Sequence, residues 1–166
     1  MKNKYFIGYR CTICGKFFKP DEAHLTCPCC GEKGILDVVY DYESMRKEVN
    51  KKYFESNKNY SMWRYAPLMG ISTEYIDKML RIGWTPLVKS HNLAKVLGLK
   101  ELYIKDDGLN PSGSSKDRAS GVAVIKALEA GAKVIACSST GNAASSCASL
   151  SPSGVQRAVT FTPVSV

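Results

Sequence analysis

The sequence predicts an α/β protein in which a small cysteine-rich module precedes a parallel-sheet domain. Two C-x-x-C pairs lie near the N-terminus, and from Ser90 onward runs typical of strands alternate with helical patterns. Such alternation indicates βαβ units and a parallel sheet. The predicted parts are residues 1–42 for the module, 43–89 for a helical and aromatic linker segment, and 90–166 for the sheet domain.

Length and charge narrow the classes of protein. A chain of 166 residues buries a core of modest size, which does not fit a large two-domain enzyme. The formal net charge of +8 and the pI near 9.1 allow an anionic metabolite or nucleic acid as partner. The Lys and Arg residues are spread along the chain, however, so a solvated surface is the main explanation. No apolar run suits a signal peptide or a membrane span, which predicts a cytoplasmic protein with no membrane partner.

Four of the seven cysteines have the spacing of a zinc ribbon. Cys11 and Cys14 form "CTIC", Cys27 and Cys30 form "CPCC", and a glycine follows each pair directly. Two such pairs let four thiolates meet around one tetrahedral zinc ion, and the glycines relieve crowding where backbone amides turn toward the sulfurs. Cys29 is surplus and is interpreted as a bystander thiol. A redox C-x-x-C or a set of buried structural cysteines is the alternative.

The segment between module and sheet domain carries two kinds of pattern. "YESMRKEVNKKYFESNKNY" predicts a helix and a linker, and the aromatic "SMWRYAPLMGI" predicts rings packed on a core. Six elements are then expected in order: helix "SHNLAKVLGL", strand "KELYIKDD", helix "KDRASGVAVIKALEAG", strand "AKVIACS", helix "NAASSCASLS" and strand "RAVTFTPVSV". Gly131 should stop the second helix, and Pro152 should interrupt the third, because proline costs about 3 kcal/mol in a helix interior.

Two loops of the sheet domain have the residues of a ligand site. "NPSGSSK" and "SSTGN" each follow a predicted strand, where ligands of parallel sheets bind. In the first loop, Lys116 is surrounded by glycine and serine, which leave room for a flat ring beside an amine that can condense with an aldehyde. The second loop offers backbone N–H groups at a helix start to a carboxylate or phosphate. Lys116 as a solvated charge and Asn142 as a helix cap are the alternatives.

The stretch "WTPLVKSHNLAKVLGLKELYIKDDGLNPSGSSKDRAS", followed by "SSTGNAASS", resembles threonine synthases among the fold-type II pyridoxal-phosphate enzymes, which have a tryptophan synthase beta-like fold. The cysteine-rich start and "WRYAPLM" are similar to the extended N-terminus of one branch. The resemblance implies pyridoxal 5'-phosphate as cofactor, with Lys116 as the lysine that binds it covalently and Asn142 bonding its phenolic oxygen. It also implies that the backbone of Ser139, Thr140 and Gly141 receives the substrate carboxylate.

The resemblance further implies that O-phosphohomoserine and water are converted to threonine and phosphate, a carbon–oxygen lyase reaction. Members of this family are at least twice as long, so we expect an incomplete domain, an N-terminal fragment that is inactive by itself. Another fold-type II enzyme, such as a cysteate synthase or threonine dehydratase, remains open. A nucleic-acid-binding zinc ribbon is disfavoured, since acidic residues lie around the cysteine pairs. An oligomer also remains open.

Overall fold

The computed structural model describes residues 3–154 and 157–162. The chain forms two compact units, of which unit 1 comprises residues 1–58 and 65–73, and unit 2 comprises residues 59–64 and 74–166. Within the described part, no helix has the length and hydrophobicity needed to cross a membrane.

Unit 1 is built on a three-stranded antiparallel sheet. Its strands, in the order β2-β1-β3 across the sheet, are β1 (Phe6–Cys11), β2 (Phe17–Phe18) and β3 (Leu36–Tyr40). Cys11 pairs with Leu36 at one end of the β1–β3 ladder. A small core of Cys11, Phe18, Ala23 and Cys27 lies beneath the sheet. Two cysteines thus form half of this buried cluster.

Two short helices follow the sheet of unit 1, where the sequence predicts one helix and a linker. Helix α1 (Tyr42–Glu48) begins after Asp41, whose carboxylate accepts a hydrogen bond from the Ser44 N–H at 3.0 Å. Helix α2 (Lys51–Ser56) begins after Asn50, whose side chain accepts from the Tyr53 N–H. Both starts use the polar caps that satisfy free N–H groups of a first helical turn.

A two-stranded antiparallel ribbon and helix α3 (His91–Val96) open the main part of unit 2. The ribbon pairs β4 (Leu87–Lys89) with β5 (Tyr103–Lys105). The expectation of one parallel sheet is therefore wrong for β5, which corresponds to "KELYIKDD". The physical reason is that the short run after Pro86 forms strand β4, and helix α3 then turns the chain back so that β5 runs beside β4 in the opposite direction. The Asp106 N–H donates to the Pro86 carbonyl at 3.0 Å at the end of this ribbon.

The parallel arrangement is confirmed for the last two strands. Helix α4 (Lys116–Glu129) leads through Gly131, which has φ +70°, into β6 (Val134–Ser138). Helix α5 (Asn142–Leu150) packs on α4 and leads to β7 (Arg157–Phe161), which runs parallel to β6. A 3-10 helix, Ser151–Gly154, follows α5, so the expected interruption at Pro152 is confirmed. The end of the predicted last strand, residues 163–166, lies outside the described residues.

The core of unit 2 brings α4 against an aromatic ring. Trp63 is 4% exposed, and its indole N–H donates to the Leu80 carbonyl at 3.2 Å. A Cβ at Gly121 of α4 would lie 2.6 Å from Ile82 Cδ1 and 3.0 Å from the Trp63 ring. No side chain fits in that space, so α4 approaches this core through its glycine.

Candidate functional site

Lys116 is the first residue of α4 and is exposed. Ser114, which is buried, accepts a hydrogen bond from the Lys116 N–H through its hydroxyl at 3.2 Å. Gly113 has φ +74°, a left-handed conformation that side-chain-bearing residues rarely adopt. The turn before α4 therefore depends on glycine, and it presents the lysine amine to solvent.

Asn110 anchors the start of the same turn. It is 5% exposed, its Oδ1 accepts from the Gly83 N–H at 2.9 Å, and its Nδ2 donates to the Asp107 carbonyl at 2.9 Å. Arg118 donates to both carboxylate oxygens of Asp107, and Thr85 donates to one of them at 2.7 Å. The Arg118 guanidinium and the Thr85 hydroxyl hold the pKa of Asp107 well below its usual range.

The second predicted loop connects β6 to α5. The structure makes Gly141 the N-cap and Asn142 the first helical residue, with no side-chain hydrogen bond at the cap. The cap position therefore belongs to Gly141 and not, as one alternative had it, to Asn142. Ser139 accepts a hydrogen bond from the Gly141 N–H at 3.2 Å through its hydroxyl. The first N–H groups of an α-helix have no partner within the helix, so the start of α5 offers donors to an anion.

A pocket of about 180 Å³ lies between α4, β6 and α5. It is lined by α4 at Ser120, by β6 at Cys137 and by α5 at Ala143, among others. Ser120 lies about one helical turn after Lys116, and Ala143 directly follows Asn142. The predicted site residues of the two loops do not themselves line this pocket, although Lys116 and Asn142 begin two of the helices that do.

The four predicted zinc ligands lie together in unit 1. The sulfur atoms of Cys11, Cys14, Cys27 and Cys30 are all within 4.8 Å of one another. The Cys11–Cys30 sulfurs are 3.9 Å apart and the Cys14–Cys27 sulfurs 3.7 Å apart. Cys29 is not a member of this cluster, and its sulfur lies 3.6 Å from Lys16 Nζ.

The two C-x-x-C segments form matching turns. The N–H groups of Ile13 and Cys29, each two residues after the first cysteine of a pair, donate to that cysteine's sulfur at 3.4 Å. Gly15 and Gly31 close the turns with φ +69° and +64°. The backbone hydrogen bond from Cys14, followed by that from Ile13, lowers the pKa of Cys11 to about 7.

The pKa of Cys30 shifts in the direction opposite to that of Cys11. The hydrogen bond with Cys14, together with desolvation, raises the pKa of Cys30 to about 12. Thiols this close do not all ionise by themselves, because like charges oppose one another. A cation among the sulfurs would reverse that balance, since a coordinating thiol is deprotonated.

The structure adds residues that the sequence interpretation missed. A Cβ at Gly34 would lie 2.4 Å from the Cys27 Cβ and 2.9 Å from the Cys30 Cβ. Asn110 and Asp117 are buried polar residues beside the Lys116 turn. "LNPSG" marks a turn, but nothing in the sequence distinguishes the buried polar side chains from exposed ones. The C-x-x-C-G spacing likewise gives no signal for a third glycine three residues later.

Comparison with known protein families decides which family this chain belongs to. A sequence profile described as "Pyridoxal-phosphate dependent enzyme" matches residues 78–163, which include Lys116 and the loop from Ser139 to Asn142. The chain belongs to the family of pyridoxal-phosphate dependent enzymes. Membership in this family confirms the α/β expectation and the predicted resemblance to pyridoxal-phosphate enzymes.

Threonine synthases are among the similar members of this family. The chain is 38% identical to the threonine synthase of Methanocaldococcus jannaschii over 93% of its own length and 37% of the relative. It is 43% identical to that of Methanosarcina acetivorans, over 80% of this chain and 31% of the relative. A threonine synthase of Synechocystis is 39% identical over 60% of this chain and 26% of the relative. The predicted resemblance to threonine synthases is confirmed, and the chain spans about a third of the length of these relatives.

The residues at the starts of α4 and α5 fit the cofactor of this family. Lys116 offers an exposed primary amine, and the Asn142 side chain can donate or accept a hydrogen bond. A Cβ at Gly141 would meet no atom within 4 Å, so open space lies beside the start of α5. An aldehyde-bearing aromatic ring would find an amine at the start of α4, and a polar partner and room at the start of α5.

Proposed function

We propose that this chain carries the cofactor-binding lysine of a threonine synthase. The proposed reaction converts O-phosphohomoserine and water to threonine and phosphate. The observation that carries the proposal is Lys116, exposed at the first position of α4 after a glycine-dependent turn, in a chain similar to threonine synthases along most of its length. Cofactor-binding lysines need an accessible amine and room for a ring, and this turn offers both.

Two further groups complete the proposed assignment. Asn142 bonds the phenolic oxygen of pyridoxal phosphate, a role that its position as the first residue of α5, after the cap residue Gly141, supports. The backbone of Ser139, Thr140 and Gly141 receives the substrate carboxylate, and the dipole of α5 adds to the attraction. Binding would require the Gly141 N–H to exchange the Ser139 hydroxyl, and the Ser139 N–H to exchange the Phe161 carbonyl, for carboxylate oxygens. When bound, pyridoxal phosphate stores electron pairs from bonds broken at the substrate's α-carbon.

Lys116 has a second proposed role once substrate is bound. Its amine takes the proton from the substrate's α-carbon and returns protons to neighbouring carbons, which general acid–base catalysis requires of a positioned group. Phosphate departs from the γ-carbon and water adds at the β-carbon. The Asp107 carboxylate is already paired with Arg118 beside the turn, so it is not left to pair with the lysine.

A chimaeric enzyme tests this function. The present chain replaces the corresponding segment of the Methanocaldococcus jannaschii threonine synthase, and phosphate release from O-phosphohomoserine is measured with pyridoxal phosphate present. We expect turnover in the chimaera and none after Lys116→Ala, whereas Lys126→Ala on the same helix stays active. A folded chimaera that binds cofactor but releases no phosphate would favour another pyridoxal-phosphate reaction.

We also propose that residues 1–42 form a zinc ribbon with Cys11, Cys14, Cys27 and Cys30 as ligands. Four sulfurs at about 2.3 Å from a central zinc ion lie about 3.8 Å apart in a regular tetrahedron. The separations of 3.7 and 3.9 Å support this geometry. The zinc is structural, because four thiolates leave no open position for a substrate.

A further inference from the structure

Asp117 is a fully buried carboxylate next to Lys116 in the sequence. It is 0% exposed, whereas aspartate is almost never fully buried without a partner. Its partner is Ser112, whose backbone N–H donates to Oδ2 at 2.7 Å and whose hydroxyl donates to Oδ1 at 2.5 Å. Both donors of one residue therefore bind the two oxygens of one carboxylate.

These two hydrogen bonds close the turn that carries Lys116. Ser112 lies at the beginning of the turn and Asp117 lies in the first turn of α4, where the helix dipole also favours a carboxylate. Gly113 and Ser114 lie between them, and glycine gives a chain more backbone freedom than any other residue. Without the closure, a segment rich in glycine and serine would sample many conformations, and the position of the lysine would vary with them.

We propose that Asp117 is a positioning residue for Lys116. By holding Ser112, it fixes the backbone on both sides of the lysine, so the amine meets the cofactor's aldehyde from one direction. The inference rests on the proposed function, because it assumes that Lys116 reacts with pyridoxal phosphate. Covalent reactions are sensitive to such placement, and an error of about 1 Å can lower a rate by about a hundredfold.

A purely structural role for Asp117 makes a different prediction. Loss of the carboxylate would then lower stability and leave the reactivity of Lys116, relative to other lysines of the folded chain, unchanged. The useful measurement is therefore a ratio within one molecule. Lys126 serves as the internal reference, because it lies on the same helix and pairs with Glu129 away from the turn.

The experiment traps the lysines that react with pyridoxal phosphate. The full chain is incubated with the cofactor and reduced with borohydride, and peptide mapping gives the ratio of labelled Lys116 to labelled Lys126. Asp117→Asn tests the carboxylate, while Ser112→Ala and Ser112→Thr remove and retain the hydroxyl. Asp106→Asn is the matched control, because the Asp106 carboxylate accepts from the Gly108 N–H outside the turn. Circular dichroism establishes that each variant is folded.

We expect Asp117→Asn to lower the ratio by at least about tenfold. Ser112→Ala should lower it by about threefold, since one hydrogen bond remains, and Ser112→Thr should restore it. Asp106→Asn should leave it unchanged. Wild-type ratios in folded Asp117→Asn and Ser112→Ala would overturn the inference alone; if Asp117→Asn does not fold, the Ser112 pair decides. If the wild-type chain itself shows no preference for Lys116, the lysine assignment of the proposed function fails, and the positioning role fails with it.

Discussion

Arg118 donates two hydrogen bonds to Asp107, from Nε at 2.9 Å and from one terminal nitrogen at 2.8 Å. This paired geometry joins the first turn of α4 to the 3-10 helix Asp107–Leu109 that precedes the lysine turn. Thr85 adds a third donor to the same carboxylate. The contact holds the two ends of residues 107–118 together, independently of the Ser112–Asp117 bonds.

The first prediction concerns this ion pair and pH. Asp107→Asn should lower the free energy of unfolding by about 1–2 kcal/mol at neutral pH, at the low end for charged hydrogen bonds because both groups are partly exposed. The pKa of Asp107 is lowered in the folded chain, so its stabilisation is complete above the unfolded value, about 4, and is lost as the pH falls below it.

Urea unfolding of both proteins between pH 3 and pH 7 measures this effect. The difference between wild type and Asp107→Asn should shrink at the acid end. Asp77→Asn is the matched control at an exposed position and should change little at any pH. A difference that stays constant down to pH 3 would contradict the assignment.

The second prediction concerns Lys116 and the cofactor. Lys116→Ala should abolish the absorbance of covalently bound pyridoxal phosphate in the titrated chain, because the glycine-dependent turn before α4 presents this amine. Lys126→Ala should titrate like wild type, because the amine that it removes pairs with Glu129 away from the turn. Undiminished covalent binding in Lys116→Ala, mapped to Lys105 or Lys126, would assign the site to another lysine.

The third prediction concerns metal content. The chain purified with zinc should contain one ion, and Cys27→Ser should lose it because a fully buried ligand is removed. Cys29→Ser should retain the ion, since that sulfur lies outside the cluster. Metal analysis of the two variants checks the assignment. Retention by Cys27→Ser together with loss from Cys29→Ser would reverse the ligand set.

The fourth prediction compares two glycines, one that a side chain would crowd against its neighbours and one that only its backbone conformation opposes to a side chain. Gly34→Ala should abolish metal binding, because the new Cβ would lie 2.4 Å from the Cys27 Cβ. Gly31→Ala meets no atom within 4 Å, and only its φ of +64° opposes a side chain, at about 1–2 kcal/mol. Zinc affinity should therefore fall much more in Gly34→Ala. Equal losses in the two variants would mean that the close contact is relieved by backbone movement.

Local signals predicted much of this fold. The start of α4 at Lys116 and its stop near Gly131 follow from turn and cap residues that act on their immediate neighbours. The pairing of β4 with β5 did not follow, because strands of three residues carry no readable period and their partner depends on the rest of the fold. The predicted parallel arrangement is confirmed only for β6 and β7, whose strands and intervening helix are long enough to show a hydrophobic period.

In the candidate site, too, some features follow from local sequence signals and others depend on the rest of the fold. Cys11 and Cys30 were predicted as neighbours because ligand spacing restricts how the chain can turn, and the cluster bears this out. The burial of Asp117 had no signal, since an acidic residue in a first helical turn is ordinarily explained by the helix dipole alone. Its partner is known only once the preceding turn is folded.

The positions of the two tryptophans allow the unfolding of the two units to be followed by separate spectroscopic signals. The sequence has two tryptophans, and both lie in unit 2. Trp63 is 4% exposed, while Trp84 is 48% exposed and lies 4.6 Å from the Arg64 guanidinium carbon. Tryptophan fluorescence therefore reports on the unit that contains Lys116, and cobalt–thiolate absorption at the cysteine cluster would report on the other. One denaturation experiment followed by both signals can measure whether the units melt together.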